Sequence, residues 1–272
     1  MKYKYSVITS VRNGLGFFIR SFKSVISADF SGPVEYFVID DASDGILRKF
    51  LERAKSDIEN PLIDFKMIRN IEKLGVIKSR NKALDLATGE YIVQVDSDVI
   101  LHKDWESGVM KYLEIPDTVA AGPSGSYIWP DWSNFNYAGE KALAGDYVDM
   151  LMGFFWVWKN LQPGEWKYDE EFGEFWHEEA ELQFRMKRET GRRLIKCDQV
   201  ADHLCQPSEW KASKDIWRQH DKNLAAVVNR YKPLVEEGEI RLENIPSRAD
   251  EKSPHILSSH VEFGTQEIKF SG

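Results

Sequence analysis

The stretch GEYIVQVDSDVI, residues 89 to 100, ends a run of β-formers in two carboxylates, Asp96 and Asp98. On an extended chain a spacing of two sends both side chains to the same side, and neither has a basic neighbour in the run. Clustered hard oxygen donors suit Mg²⁺ or Mn²⁺, which complete their shells with water and phosphate oxygens. A second acidic pair, Asp40-Asp41, follows the apolar run VEYFVI. Asp also starts turns and caps helices, so for Asp41 to Asp44 a structural role stands level with a ligand role. A cation that bridges phosphates implies a phosphate-bearing ligand. Yet neither G-x-x-x-x-G-K-[ST] nor G-x-G-x-x-G follows the first strand, because SVRNGLG lacks the spacing. Lys73, Lys78 and Arg80 are the nearest cations for a pyrophosphate.

The elements that must position these groups follow from periodicity. YSVITS reads as a strand, and LGFFIRSFKSVISADF as a helix with Leu15, Phe18, Ile19, Phe22 and Ile26 on one side. VEYFVIDD is the next strand, and SDGILRKFLERAKSDI a helix with Ile46, Leu47, Phe50, Leu51 and Ala54 on one stripe and Ser43 or Asp44 as N-cap. Then come a strand in IDFKMIRN, a helix in GVIKSRNKALDLATG stopped by Gly89, and the strand before Asp96. A helix starting at Gly75 turns Arg80 and Asn81 toward either crevice or solvent. Alternating strands and helices predict an α/β fold, with a mostly parallel sheet flanked by helices. Ligands of such sheets bind outside the carboxyl ends of the strands, where both acidic pairs fall.

The 272 residues, 42% of them hydrophobic, suffice for one large domain. Net charge is uneven, with 15 Lys and Arg against 12 Asp and Glu in residues 1–90 and 21 against 32 in the remainder. The first third tolerates an anion, but with a pI of about 5.4 and no basic run the chain lacks the footprint of a nucleic-acid binder. MKYKYSVITS turns strand-like at once, and no apolar run approaches the roughly 20 residues of a bilayer span, so a soluble, cytoplasmic protein is expected. Cys197 and Cys205 read as reduced thiols.

Taken in order, SVITSVRN, VIDDASDG, NIEKLGVIKSRNKALDLATGEYIVQVDSD and WHEEAELQFRMKRETG resemble the motifs of nucleotide-sugar glycosyltransferases of the GT-A fold, family 2 type, over roughly residues 5 to 205. The resemblance implies a Rossmann-like twisted sheet with a donor-binding half in residues 1–100, an acceptor half of the same domain in 101–213, and a C-terminal helix and tail in 214–272. It implies that Thr9 and Ser10 line the nucleotide pocket, that Asp40 or Asp41 bonds the base, and that Lys73, Gly75 and Arg80 border base and pyrophosphate. Asp96 would lie near ribose and metal, and Asp98 would ligate the metal.

In the second half, YVDMLMGFFWVWKN resembles the family's apolar strand before the acceptor helix. Glu178-Glu179 stands where relatives carry Glu-Asp, which makes Glu179 the expected general base and leaves Glu178 to the acceptor. Glu for Asp is a departure that adds a methylene of reach. Inversion is favoured, although the motif alone leaves retention open. His203, in CDQVADH, resembles a third metal ligand, and an Asp/Asp/His set favours Mn²⁺ over Mg²⁺. Trp176 and either Trp129 or Trp132 are candidates for an acceptor platform. The expected partners are a nucleotide-sugar donor, with UDP favoured, and a glycan or other hydroxyl acceptor. The competing readings are a sugar-phosphate nucleotidylyltransferase, whose glycine-rich basic loop SVRNGLGFFIRS matches poorly, and a non-catalytic nucleotide-sugar or glycan-binding relative.

Overall fold

The computed structural model describes residues 2–128, 132, 135–136, 142–173, 177–204 and 214–243. The first hundred residues alternate as expected: β1 (Tyr5–Val11), α1 (Leu15–Ile26), β2 (Val34–Asp40), α2 (Gly45–Ala54), β3 (Ile63–Arg69), α3 (Val76–Leu84), β4 (Tyr91–Val95) and β5 (Val99–Leu101). The chain continues through α4 (Trp105–Leu113), β6 (Thr118–Gly122), β7 (Gly125–Ile128), β8 (Phe135–Asn136), β9 (Tyr147–Val148), β10 (Met150–Leu151) and β11 (Phe155–Lys159). It ends in α5 (Glu178–Thr190), β12 (Arg193–Lys196), β13 (Ala201–His203) and α6 (Lys214–Glu236).

Eight strands form one sheet in the order β3-β2-β1-β4-β11-β6-β12-β9. β1 pairs parallel with both β2 and β4, β2 parallel with β3, and β12 parallel with β6, while β11 runs antiparallel between β4 and β6 and β9 antiparallel on β12. The sheet is therefore mostly parallel, and its chain order reverses between β1 and β4, where such sheets open a ligand crevice. Period-two alternation sorts the side chains. Val7, Val11, Tyr36, Val38, Val93 and Val95 pack with α1, α2 and α4, and Ile8, Phe37, Ile39 and Ile92 face α3, α5 and α6.

Three local expectations need correction. In α2, Asp44 is the N-cap and accepts from Ile46 N at 3.3 Å, but Ile46 is 68% exposed while Leu47, Leu51 and Ala54 are buried. The stripe centres one position later than the periodicity suggested. The helix over Arg80 stops at Leu84, and Gly89 serves another purpose. Its N–H donates to Ser6 Oγ at 2.8 Å, and a Cβ there would stand 2.6 Å from Ser6 N, so glycine allows a close backbone approach to β1. YVDMLMGFFWVWKN is not one strand but three, β9, β10 and β11. Asp149 breaks the run, and its buried carboxylate accepts from Ile128 N at 3.0 Å and Glu243 N at 2.8 Å and pairs with Lys187 at 3.3 Å.

The C-terminal helix belongs to the same body. Val227 and Tyr231 of α6 are buried, and Tyr231 stacks on Phe184 of α5 at 5.1 Å. Arg230 and Tyr231 both bond the buried Glu181 carboxylate, at 3.1 and 2.8 Å. Cys197 is a buried free thiol, and Cys205 lies outside the described residues. Among the described residues no helix is long and apolar enough to cross a membrane.

Candidate active site

At the carboxyl end of β4 the backbone leaves the sheet. Asp96 N donates to Phe154 O at 2.9 Å and Val99 N to Asp96 O at 3.2 Å, so Asp96-Ser97-Asp98 forms a turn into β5. The two carboxylates meet through that turn, not through the strand alternation expected from their spacing. β13 pairs antiparallel with β5, placing His203 opposite Val99, and Leu204 N donates to Asp98 O at 2.9 Å. That ribbon brings His203 Nε2 to 3.4 Å from Asp98 Oδ1. One ligand atom each from Asp96, Asp98 and His203 lies within 4.8 Å of the others. Two carboxylate oxygens and an imidazole nitrogen, all partly open to solvent, fit a divalent cation that keeps positions for water or phosphate. Burial raises the Asp96 pKa above the ordinary carboxylate value, with Asp98 adding to it and Arg80 and His203 pulling it down.

The turn 152–154, between β10 and β11, joins this cluster to the acidic helix. Phe154 stacks on the His203 ring at 4.8 Å and 12°. Next to it, Gly153 faces Glu179, and a Cβ at Gly153 would stand 3.2 Å from Glu179 Oε1. Gln94 of β4 holds the turn by donating to Gly153 O, and the Tyr168 hydroxyl donates to Gln94 Oε1. Sequence reasoning passed over Gln94, Gly153, Phe154 and Tyr168. The interruption MGFF was the available signal, but it was absorbed into an apolar strand.

Glu178 and Glu179 open α5, where the helix dipole favours negative charge. His177 precedes them with φ 67°, a left-handed conformation, and its ring lies 4.7 Å from that of His220 on α6. Burial, with the charge of His220 adding, lowers the His177 pKa to about 3 and so keeps the ring neutral. Burial and the neighbouring Glu178 raise the Glu179 pKa well above the ordinary carboxylate range. A carboxyl in that condition is poised to exchange protons nearer neutrality.

Arg80 is the buried cation of the site. It is 5% exposed, so the solvated-face alternative fails, and Asn81 turns inward with it. Asn81 Nδ2 donates to Tyr168 O at 2.9 Å and its Oδ1 accepts from Tyr168 N at 2.8 Å, while Lys78 stays exposed on the far side of α3.

The remaining expected site residues lie on β1, at the end of β2 and in the loops that follow. Thr9 is fully buried in β1, its hydroxyl 3.4 Å from that of Tyr36, whereas Ser10 is partly exposed. Asp40, the last residue of β2, and Asp41 after it both fasten loops. Asp40 accepts from Ser43 N at 2.9 Å and pairs with Arg69. Asp41 accepts from Asn70 Nδ2, Leu74 N and Gly75 N at 2.9, 2.7 and 3.0 Å. The Asp41 bonds shape the turn that carries the exposed Lys73 and begins α3. Trp132 is buried against Phe184 at 6.1 Å, which removes it from a platform role, and Trp129 and Trp176 lie outside the described residues.

The sequence model described as "Glycosyl transferase family 2" matches residues 6–160. An uncharacterized glycosyltransferase of Haemophilus influenzae is 31% identical over 123 residues, 45% of this chain and 36% of that protein. The chain spans between 17 and 40% of the length of the curated relatives it matches. Among solved structures, the mannosyltransferase PcManGT from Pyrobaculum calidifontis in complex with GDP-Man and Mn²⁺ superposes with a TM-score of 0.61 at 19% identity, covering 88% of this chain and 70% of that one. GalNAc-T7 with UDP, GalNAc and Mn²⁺ gives 0.62 at 14% identity, covering 86% and 50%. These similarities show a shared GT-A fold, and with a match over more than half of its length, the chain belongs to glycosyl transferase family 2.

Proposed function

We propose that this protein is a divalent-cation-dependent glycosyltransferase that moves a sugar from a nucleoside diphosphate sugar to a hydroxyl acceptor, a glycan, with inversion at the anomeric carbon. One observation carries the reading: the turn 152–154 touches both a three-ligand cluster, through Phe154 and His203, and a carboxyl of raised pKa, through Gly153 and Glu179. Asp96, Asp98 and His203 hold the cation, Mn²⁺ in preference to Mg²⁺ because of the imidazole. When bound, the cation offsets the charge that develops on the departing diphosphate. Glu179 takes the proton of the acceptor hydroxyl as that oxygen attacks the anomeric carbon and the nucleoside diphosphate leaves from the opposite face. Glu178, held by Arg80, orients the acceptor. Both solved neighbours named above are described with Mn²⁺ and a nucleotide or nucleotide sugar, which supports the cofactor and the donor class. The family resemblance favours a UDP-sugar.

The test is a thermal-shift panel of nucleotide sugars with and without Mn²⁺, followed by transfer assays on the stabilising donor. A donor at 100 times its dissociation constant should add about 2.7 kcal/mol of stability. Asp98→Asn should abolish transfer and weaken donor binding, and EDTA should do the same to wild type. Full activity in excess EDTA overturns cation dependence, and retention of configuration by NMR of the product removes Glu179 as base.

A further inference from the structure

Arg80 joins two carboxylates that belong to different halves of the site. From α3 its Nη2 donates to Asp96 Oδ1 at 2.5 Å and its Nη1 to Glu178 Oε1 at 3.3 Å, with the guanidinium 5.5 Å from the centre of the Tyr168 ring. The two bonds are unequal. Asp96 takes the short one, and Glu178, which is 7% exposed, has the long bond to Arg80 and the adjacent Glu179 carboxyl as its company. A buried carboxylate whose contact with its cation is long is poorly compensated, so Glu178 stands to gain from a fuller share of the Arg80 charge. Asp96 is also the carboxylate that a divalent cation would claim. A dication and a guanidinium cannot both hold it at full strength, because they repel each other across a few ångströms.

We propose that Arg80 is a shared counter-ion. It neutralises Asp96 while the metal position is vacant, and it shifts its charge onto Glu178 once a divalent cation takes Asp96. Cation loading and the ordering of the Glu178-Glu179 pair are thereby coupled, and the coupling is reciprocal. Arg80 acts through Asp96 and Glu178 and is a positioning residue. The inference rests on the reading that Asp96, Asp98 and His203 hold a divalent cation.

The experiment measures Mn²⁺ affinity of the full chain by calorimetry and by the EPR signal of free Mn²⁺, without donor. Arg80→Gln removes a competing cation and should tighten Mn²⁺ on the order of tenfold, while lowering kcat because Glu178 loses its partner. Arg80→Lys keeps the charge but loses the planar fork that spans Asp96 and Glu178, so its Mn²⁺ affinity should fall between those of wild type and Arg80→Gln. Glu178→Gln leaves the displaced guanidinium without a carboxylate and should weaken Mn²⁺ severalfold. In the double variant that weakening should disappear, since no guanidinium remains to be displaced. Weaker Mn²⁺ binding by Arg80→Gln would mean that Arg80 merely orients Asp96, and additive effects in the double variant would mean that no charge is relayed. Either outcome overturns the inference and leaves the transferase reading standing. Absence of Mn²⁺ binding by wild type overturns both. Should Arg80→Gln fail to melt cooperatively, the milder Glu178→Gln decides alone, and unchanged Mn²⁺ affinity there sinks the proposal.

Discussion

Glu178 and Glu179 are the same side chain one residue apart, and their surroundings differ. Arg80 donates to Glu178, whereas Glu179 faces the Gly153 turn under burial and the charge of its neighbour. As a base Glu179 works only when deprotonated. Activity should therefore rise with pH through its pKa, and the acidic limb of kcat/KM should lie above the ordinary value of 4.5. Glu179→Gln should bind donor normally and lose about 10²–10⁴-fold in kcat, and the acidic limb should vanish from what activity remains. Single-turnover transfer assays across pH 5 to 9 check both. His203→Ala should raise the Mn²⁺ concentration needed for half-maximal activity at least tenfold, roughly the loss of one ligand. A titration of activity against Mn²⁺ that matches wild type would make His203 structural.

Two glycines show how elements, and not single residues, set the site. At Gly89 an added Cβ would meet the backbone of Tyr5 and Ser6 at 2.7 and 2.6 Å, and β1 cannot yield. At Gly153 it would meet the Glu179 carboxyl at 3.2 Å. Gly89→Ala should thus cost about 1–3 kcal/mol of stability, read as a lowered melting temperature. Gly153→Ala should melt near wild type yet lose most of its turnover by pushing the carboxyl aside. Equal melting losses in the two variants would refute this division. The elements were legible as far as each was local. The acid pairs were visible at strand ends by residue type alone, and the first seven helices and strands by period. What escaped needed pairing at a distance. His203 entered through the family resemblance alone, since it reaches Asp98 only because β13 pairs with β5, and the inward turn of Arg80, left open by the sequence, depends on Tyr168 and Glu178, 88 and 98 residues further along. Gly89 looked like a helix stop because glycine serves both caps and close approaches, and only the position of β1 separates the two.

On the scale of the molecule, α6 closes the body that the sheet opens. Val227 and Tyr231 cover α5, and Gln219 and Asn223 donate side-chain N–H groups to Phe172 O, at 3.2 and 2.5 Å. A chain ended before Lys214 uncovers Phe184 and leaves the buried Glu181 without Arg230 and Tyr231. It should lose its cooperative melting transition and bind hydrophobic dyes, and a sharp transition would show α6 to be dispensable.

The antiparallel strand β11 has a consequence for the order in which the protein is made. It fills the gap between β4 and β6, pairing Phe155 with Val95 across 60 residues of chain. A nascent polypeptide that has emerged only as far as β4 therefore presents an unpaired edge along the five apolar-rich residues Tyr91–Val95, with the partner of that edge not yet synthesised. Such edges recruit other chains. At a synthesis rate of about 5–20 residues per second, the exposure lasts for seconds, during which β1 to β4 lack the strand that closes their edge.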